Sequence, residues 1–334
     1  MQLTCEDRIV GRGDGLSQPR FVLVIGAANM DITGSTDHAL VAQDSIAGVI
    51  RCAPGGVARN VAENLARLGR DVRLVSAVGD DLYGASLIEL TRCAGVDVQA
   101  CQVLAGQATS TYLSLHGPDG DMALALNDMA ILEQLTPERL AASAGLLRHA
   151  GVTLVDCNLP EATLAWIVAQ AGDTPLFAEP VSAFKCRLLL PWLERIHTLK
   201  ANRLEAQALT GQAVDSDEAV VVAARWLHRR GLRQVVLSLG ARGLYWSEHT
   251  GASGWQPAIP VPVVNATGAG DALMAGLIHG FLDGTALPDA VPFAAGCAAV
   301  TLTAVPANHP NLSVATVQQL LRGAHCTPGL VPAT

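Results

Sequence analysis

The sequence predicts an α/β fold, with a mostly parallel central sheet and a small β-strand lid. Three observations predict it. Phe21-Val22-Leu23-Val24-Ile25 is an unbroken apolar run stopped by Gly26, as a strand buried on both faces should be. From Asp71 onward, short β-branched runs alternate with stretches of helical spacing, the order that builds βαβ units. Two stretches break the alternation, and these are expected to form a separate small sheet over the binding edge. One, residues 32–52, loses its apolar pattern to Gly, Ser, Thr and Asp; the other, residues 108–128, has period-two patterning around a turn.

Each element follows from local chemistry. Met1 to Arg20 mix charge and glycine without an apolar segment, which argues against a signal peptide and for a loosely ordered tail. After the first strand, Ala53-Pro54-Gly55-Gly56-Val57-Ala58-Arg59-Asn60 opens a helix that runs through Arg67 and is stopped by Gly69. Its stripe of Val57, Val61, Leu65 and Leu68 leaves Asn60 off the apolar face. Asp71 to Val78 reads as a strand, Gly84 to Ala94 as a helix and Val96 to Leu104 as a strand. Thr109 to Leu115 and Asp121 to Leu126 flank His116-Gly117-Pro118-Asp119-Gly120, a hairpin by its turn residues. Thr136-Pro137-Glu138 caps a helix. Val152 to Asp156 and Pro175 to Ala178 are strands around a helix from Glu161 to Ala171. His197 to Glu205 passes from strand to helix, and Gln234 to Tyr245 holds two strands around a glycine turn. Pro260 to Val264 reads as a strand entering a glycine turn and a helix. Helices over Leu287 to Thr303 and Ser313 to Gly323 bracket the loop Pro306 to Pro310.

Composition narrows the function. A chain of 334 residues, 50% of them hydrophobic, buries a large core as one big domain or two smaller ones. A net charge of -8 argues against nucleic acid as a partner, since phosphate backbones need clustered Lys and Arg. No apolar run reaches the roughly 18 residues of a membrane span. The eight cysteines form no Cys-x-x-Cys pair and fit reduced thiols in a cytoplasmic protein.

The chemistry concentrates at Asn265-Ala266-Thr267-Gly268-Ala269-Gly270-Asp271. Glycines let backbone N–H groups approach a ligand, and the helix that follows aims its N-terminal donors at the same point. An anion is expected there. A carboxylate beside an anion site suits transfer of a phosphoryl group to a hydroxyl, where one base must take the proton. The spacing is equally consistent with a plain glycine turn in which Asp271 serves only the helix dipole. Other candidates are similarly two-sided. Asn29 and Asp31 lie past a strand end, where open α/β sheets bind ligands, or in an ordinary polar turn. Lys185 is placed to reach a phosphate, or is solvated. Asn202 and Glu205 suit Mg2+, or form a capping box. The turn from Ser238 through Gly240 to Gly243 can admit a nucleotide, though such turns are common.

The order of these signals resembles that of the ribokinase-like (PfkB) sugar and nucleoside kinases, over about residues 21 to 323. Four runs carry the closest likeness: Gly26 to Asp31, Thr109 to Leu115, Pro180 to Cys186 and Ile196 to Ala206. In these runs the chain resembles a branch of the family that acts on a modified nucleoside. The resemblance implies a ribokinase-like three-layer αβα sandwich over residues 21–325, with the lid segments inserted and a C-terminal tail over 326–334. It implies ATP and Mg2+ as cofactors, a nucleoside or sugar as substrate, a 5′-hydroxyl as acceptor and a homodimer. By the same resemblance, Asp271 would be the base, and the N–H groups of Gly268, Ala269 and Gly270 would hold the transferring phosphoryl. Asn29, Asp31, Gly55, Gly56 and Asn60 would bind the sugar side of the substrate, with Lys185, while Ser110, Thr111 and Asn127 of the lid would lie near its base or sugar. Asn202, Ser238, Gly240, Gly243, Thr267 and Asn308 would line the ATP side, and Glu205, with Asn202, would organise Mg2+ through water.

Two departures qualify it. Asn265 stands where the family's common motif begins with Asp, near the site where many members hold a monovalent cation, so K+ is left open. Val57 stands where ribokinases carry Lys after the paired glycines, so the chain is not a plain ribokinase, and Lys185 is the comparable charge. Within the family the alternative is a kinase for ribose or another nucleoside or sugar. Outside it stands a sugar-responsive binding protein without turnover.

Overall fold

The computed structural model describes residues 21–325, so the tails expected over 1–20 and 326–334 lie outside the described residues. In chain order the strands are β1 (Val22–Ile25), β2 (Asn29–Ser35), β3 (Val49–Gly55), β4 (Val72–Val75), β5 (Ala77–Gly79), β6 (Gln102–Leu104), β7 (Thr111–His116), β8 (Met122–Asp128), β9 (Val152–Asp156), β10 (Leu176–Glu179), β11 (Ile196–Asn202), β12 (Gln234–Ser238), β13 (Leu244–Glu248) and β14 (Ser253–Gln256). The helices are α1 (Val57–Arg67), α2 (Leu82–Cys93), α3 (Pro137–Leu140), α4 (Ala144–His149), α5 (Glu161–Gln170), α6 (Arg203–Thr210), α7 (Asp217–Arg229), α8 (Ala269–Leu282), α9 (Leu287–Leu302) and α10 (Val314–His325).

The large sheet runs β14-β13-β12-β11-β10-β9-β1-β4. From β12 to β4 every pairing is parallel; β13 and β14 add an antiparallel edge. Side chains alternate across a pleated strand, so β1 alone feeds two cores. Val22 and Val24, with Leu74 and Leu154, pack under Val61, Leu65, Ile278, Val291 and Val317 of α1, α8, α9 and α10. Leu23 and Ile25, with Leu199 and Leu237, pack against Leu140, Leu147, Leu164, Leu209 and Leu227 of α3 to α7. Each such side chain stabilises the fold by roughly 1.5–3 kcal/mol relative to exposure. The result is the three-layer αβα sandwich expected from the sequence. Among the described residues, no helix is long and apolar enough to cross a membrane.

A second sheet, β3-β2-β7-β8, joins β2 and β7 in parallel and pairs each with an antiparallel neighbour. Met30 and Ile32 anchor one face on Val78 and Leu87. Further out, Ile50, Leu124 and Leu126 are exposed.

Three expected strands come out differently. Asp71 to Val78 divides at Ser76, whose hydroxyl donates to the Gly26 carbonyl at 2.7 Å; β5 then leaves the large sheet to pair with β6. Val96 to Leu104 keeps only β6 and a single bridge at Asp97. Pro260 to Val264 is not a strand. Pro260 and Pro262 have no N–H for a ladder, and Val264 N–H instead donates to the Leu302 carbonyl at the end of α9, at 2.8 Å.

Candidate active site

The parallel strands deliver their polar residues to one edge, because chain direction is shared and each strand ends there. Asp156 ends β9, Glu179 ends β10, Lys200 and Asn202 end β11 and Ser238 ends β12. The tip of α8 meets this edge. Its N-cap is Gly268, with φ of 81° and no side-chain cap, a left-handed conformation that disfavours other residues. A Cβ there would also overlap the Ala307 carbonyl. The N–H groups of the first turn have no intrahelical acceptor and form an anion-receptive tip.

Asp271 sits in that first turn, half-buried, and Asn60 Nδ2 donates to its Oδ2 at 2.9 Å. Burial raises its pKa to about 6, against the opposing pull of the Lys200 charge and the Asn60 hydrogen bond. Such a carboxyl is deprotonated at neutral pH and basic enough to accept a hydroxyl proton. Lys200 Nζ pairs with Glu179 Oε2 at 2.8 Å, both buried. That ammonium lies 2.8 Å from where a Cβ on Gly270 would stand, so only glycine fits there without displacing it. Burial works against its charge, but the carboxylates of Glu179, Glu205 and Asp271 outweigh burial and hold its pKa above the ordinary lysine value.

The α1 side is built around glycine as well. A Cβ on Gly55 would collide with the Asp31 carboxylate, and one on Gly56, φ 99°, with the Ala27 carbonyl. Asn29 Nδ2 donates to Asp31 Oδ1 at 2.5 Å. Buried Asp156 underpins this corner by accepting the N–H groups of Ala27 at 2.9 Å, Ala58 at 3.1 Å and Asn158 at 2.9 Å.

A family profile described as pfkB family carbohydrate kinase matches residues 19–313. The chain belongs to the pfkB family of carbohydrate kinases. It is 45% identical over 306 residues to the pseudouridine kinase of Escherichia coli (strain K12), covering 92% of this chain and 98% of that one. It is 44% identical over 313 residues to the uncharacterized sugar kinase YeiI of the same strain, covering 94% and 86%. A ribokinase of Arabidopsis thaliana, solved with ribose and ATP, shares the fold at a TM-score of 0.81 and 22% identity, covering 91% of this chain and 99% of that one. This pfkB kinase is thus a phosphotransferase with an alcohol group as acceptor.

Within the pfkB frame, several sequence candidates converge and others do not. Asp271, Asn60, Gly268, Ala269 and Gly270 meet at one point. Residues paired across a sheet share a face, so Asp31, Tyr112 and Asn127 line one side of the small sheet. Thr111 is a correction: it pairs with Met30, whose face packs on Val78 and Leu87, away from Asp31. Tyr112, not Thr111, shares the face of Asp31. Ser110 is 1% exposed and its hydroxyl has no partner among the described residues, an orphan that a ligand polar group would satisfy.

A further candidate is corrected by its hydrogen bonds. Asn308 is buried, donating from Nδ2 to the Asn60 carbonyl at 2.9 Å and accepting from Arg59 at Oδ1 at 3.0 Å, so its amide serves the protein core rather than ATP. Lys185 Nζ donates to Asn158 Oδ1 at 2.7 Å, and the ammonium beside the helix tip is that of Lys200. Asn202 and Glu205 form a reciprocal capping box at 2.8 and 2.9 Å. The cap uses Glu205 Oε2 and leaves Oε1. The Ser238 to Gly243 turn forms as read, with φ of 63° at Gly240 and 86° at Gly243.

Sequence reasoning missed Lys200, Glu179, Asp156 and Arg59. A signal existed for Glu179 and Asp156, since each is a charged residue ending a mostly apolar strand run.

Proposed function

We propose that this kinase transfers the γ-phosphoryl group of ATP to the 5′-hydroxyl of pseudouridine, giving pseudouridine 5′-phosphate. The observation that carries the reaction is Asp271, held by Asn60 at the foot of the glycine-lined tip of α8. The likeness to a pseudouridine kinase supports the acceptor. Asp271 takes the proton of the attacking hydroxyl, and the N–H groups of Gly268, Ala269 and Gly270 receive the charge on the phosphoryl oxygens. Asn29, Asp31, Gly55 and Gly56 hold the ribose, with Ser110 and Asn127 toward the base, and the β2, β3, β7 and β8 sheet is the lid that excludes water. Thr267 and the turn of Ser238, Gly240 and Gly243 line the ATP side.

Glu205 Oε1 is a carboxylate oxygen suited to a water of hydrated Mg2+, which keeps most of its waters; Asn202 stands beside it. When bound, Mg2+ neutralises phosphate charge. No K+ is required in this reading. Asn265 Nδ2 donates to the Val305 carbonyl at 2.7 Å and its Oδ1 accepts Thr267 N–H at 3.0 Å, so a side-chain amide ties the loop together. The exposed apolar side of the lid supports a homodimer, and the free thiols among the described cysteines fit the cytoplasm.

The nearly equal likeness to YeiI favours a second reading, a kinase for ribose or another sugar or nucleoside. Coupled measurement of ADP release over pseudouridine, uridine, ribose and fructose separates the two. Turnover on ribose with none on pseudouridine would remove the first.

A further inference from the structure

Arg59 is only 2% exposed. A buried guanidinium is costly unless its donors are met, and here the acceptors come from five places in the chain. Nε donates to Thr91 Oγ1 on α2 at 3.2 Å. Nη2 pairs with Glu63 one turn along α1, whose other oxygen is held by Arg67 at 2.6 and 2.9 Å. Nη1 faces three oxygens: the Pro54 carbonyl of β3 at 3.3 Å, Asn60 Oδ1 at 3.2 Å and Asn308 Oδ1 at 3.0 Å.

The contact with Asn60 has a directional consequence. An amide side chain accepts at one end and donates at the other. With Oδ1 turned to the guanidinium, Nδ2 is turned to Asp271. The opposite orientation would set an NH2 against a cation and an oxygen against a carboxylate. Asn308 is oriented by the same rule, and its neighbour Ala307 backs the Gly268 cap.

We infer that Arg59 is a positioning residue for phosphoryl transfer: it locks the Asn60 amide so that Asp271 is held as base, and couples that pair to lid strand β3 and to the loop behind the helix tip. The inference rests on the reading of Asp271 as the base. It also gives a direction. Asp271 is faced by Lys200 from β11 and Asn60 from α1, which favour its charge, and by Asp156 from β9 and Asp31 from β2, which oppose it; Glu179 from β10 lies beside Lys200. Freeing the Asn60 amide removes one of the two favourable partners, so the acid limb of the rate profile moves to higher pH.

The test is ADP release by the full chain, recorded between about pH 5 and 9, for Arg59→Met, Asn60→Ala and the double variant. Arg59→Met is expected to lower kcat about tenfold or more, as loss of a base's positioning does, and to move the acid limb upward. In the Asn60→Ala background it is expected to do neither. An unmoved limb, or an equal loss in both backgrounds, overturns the inference. Thr91→Val removes only the Nε anchor and answers the same question if Arg59→Met does not fold. It should move the limb in the same direction by less, and a limb left in place counts against Arg59. Failure of the base reading is distinguishable: it would show as turnover surviving Asp271→Asn, whatever Arg59 does.

Discussion

Replacing Asp271 by Asn keeps the shape of the side chain and an oxygen for Asn60 Nδ2, now 2.9 Å from Asp271 Oδ2, but removes the proton acceptor. A positioned general base contributes about 100- to 10,000-fold to a rate, or about 3–5 kcal/mol of barrier, and kcat should fall by that amount. Stability should move the other way. Burial raises the Asp271 pKa from 3.8 to about 6, and each unit is about 1.4 kcal/mol. A carboxyl whose folded pKa exceeds its unfolded value destabilises the folded state above pH 6, and the penalty fades as pH falls from about 6 toward 4. The amide has no charge to desolvate, so at pH 7 the variant should gain up to about 3 kcal/mol, a rise of a few degrees in Tm. Coupled ADP release, calorimetric titration with pseudouridine and thermal melting read the three quantities. Substrate binding should survive while turnover is lost. Turnover within tenfold of the parent, or a lower Tm, would refute the argument that this carboxylate is kept for catalysis at a cost in stability.

The remaining predictions concern the same corner. The parent enzyme should lose kcat as pH falls through about 6, because the base is then protonated; a pH–rate profile flat down to about pH 4.5 would contradict this. Gly268→Ala drives a Cβ into the Ala307 carbonyl at a φ of 81°, and should cost at least about 1–3 kcal/mol of stability together with a large loss of kcat, read by melting and ADP release. Turnover of the parent should be the same in potassium and choline salts. Asn265→Asp replaces the amide donor 2.7 Å from the Val305 carbonyl by a charge, and a salt comparison on this variant should reveal dependence on a small monovalent cation.

Much of the layered fold was legible because periodicity is local. The run Val22 to Ile25 had to be a strand covered on both faces, and the two cores that cover it are the reason it is apolar throughout. Pro260 to Val264 misled because β-branched residues there are exposed rather than packed, and two prolines outweighed propensity. At the site, Gly268 to Asp271 could be read from the order of residues, since a helix tip presents its own donors. The face of Thr111 could not, because it is set by the register of β7 on β2.

The sequence by itself determined much of the strand and helix order, the glycine-lined helix tip and the presence of a carboxylate one turn inside it. These depend on neighbours a few residues apart. Only the tertiary structure decided that Asn60 meets Asp271 across 211 positions, that Lys200 rather than Lys185 stands beside Gly270, and that Asn308 faces inward to Arg59. Each of those is a contact between chain segments brought together by packing, and hydrogen bonds of buried amides and ammonium groups have directions that no spacing along the chain encodes.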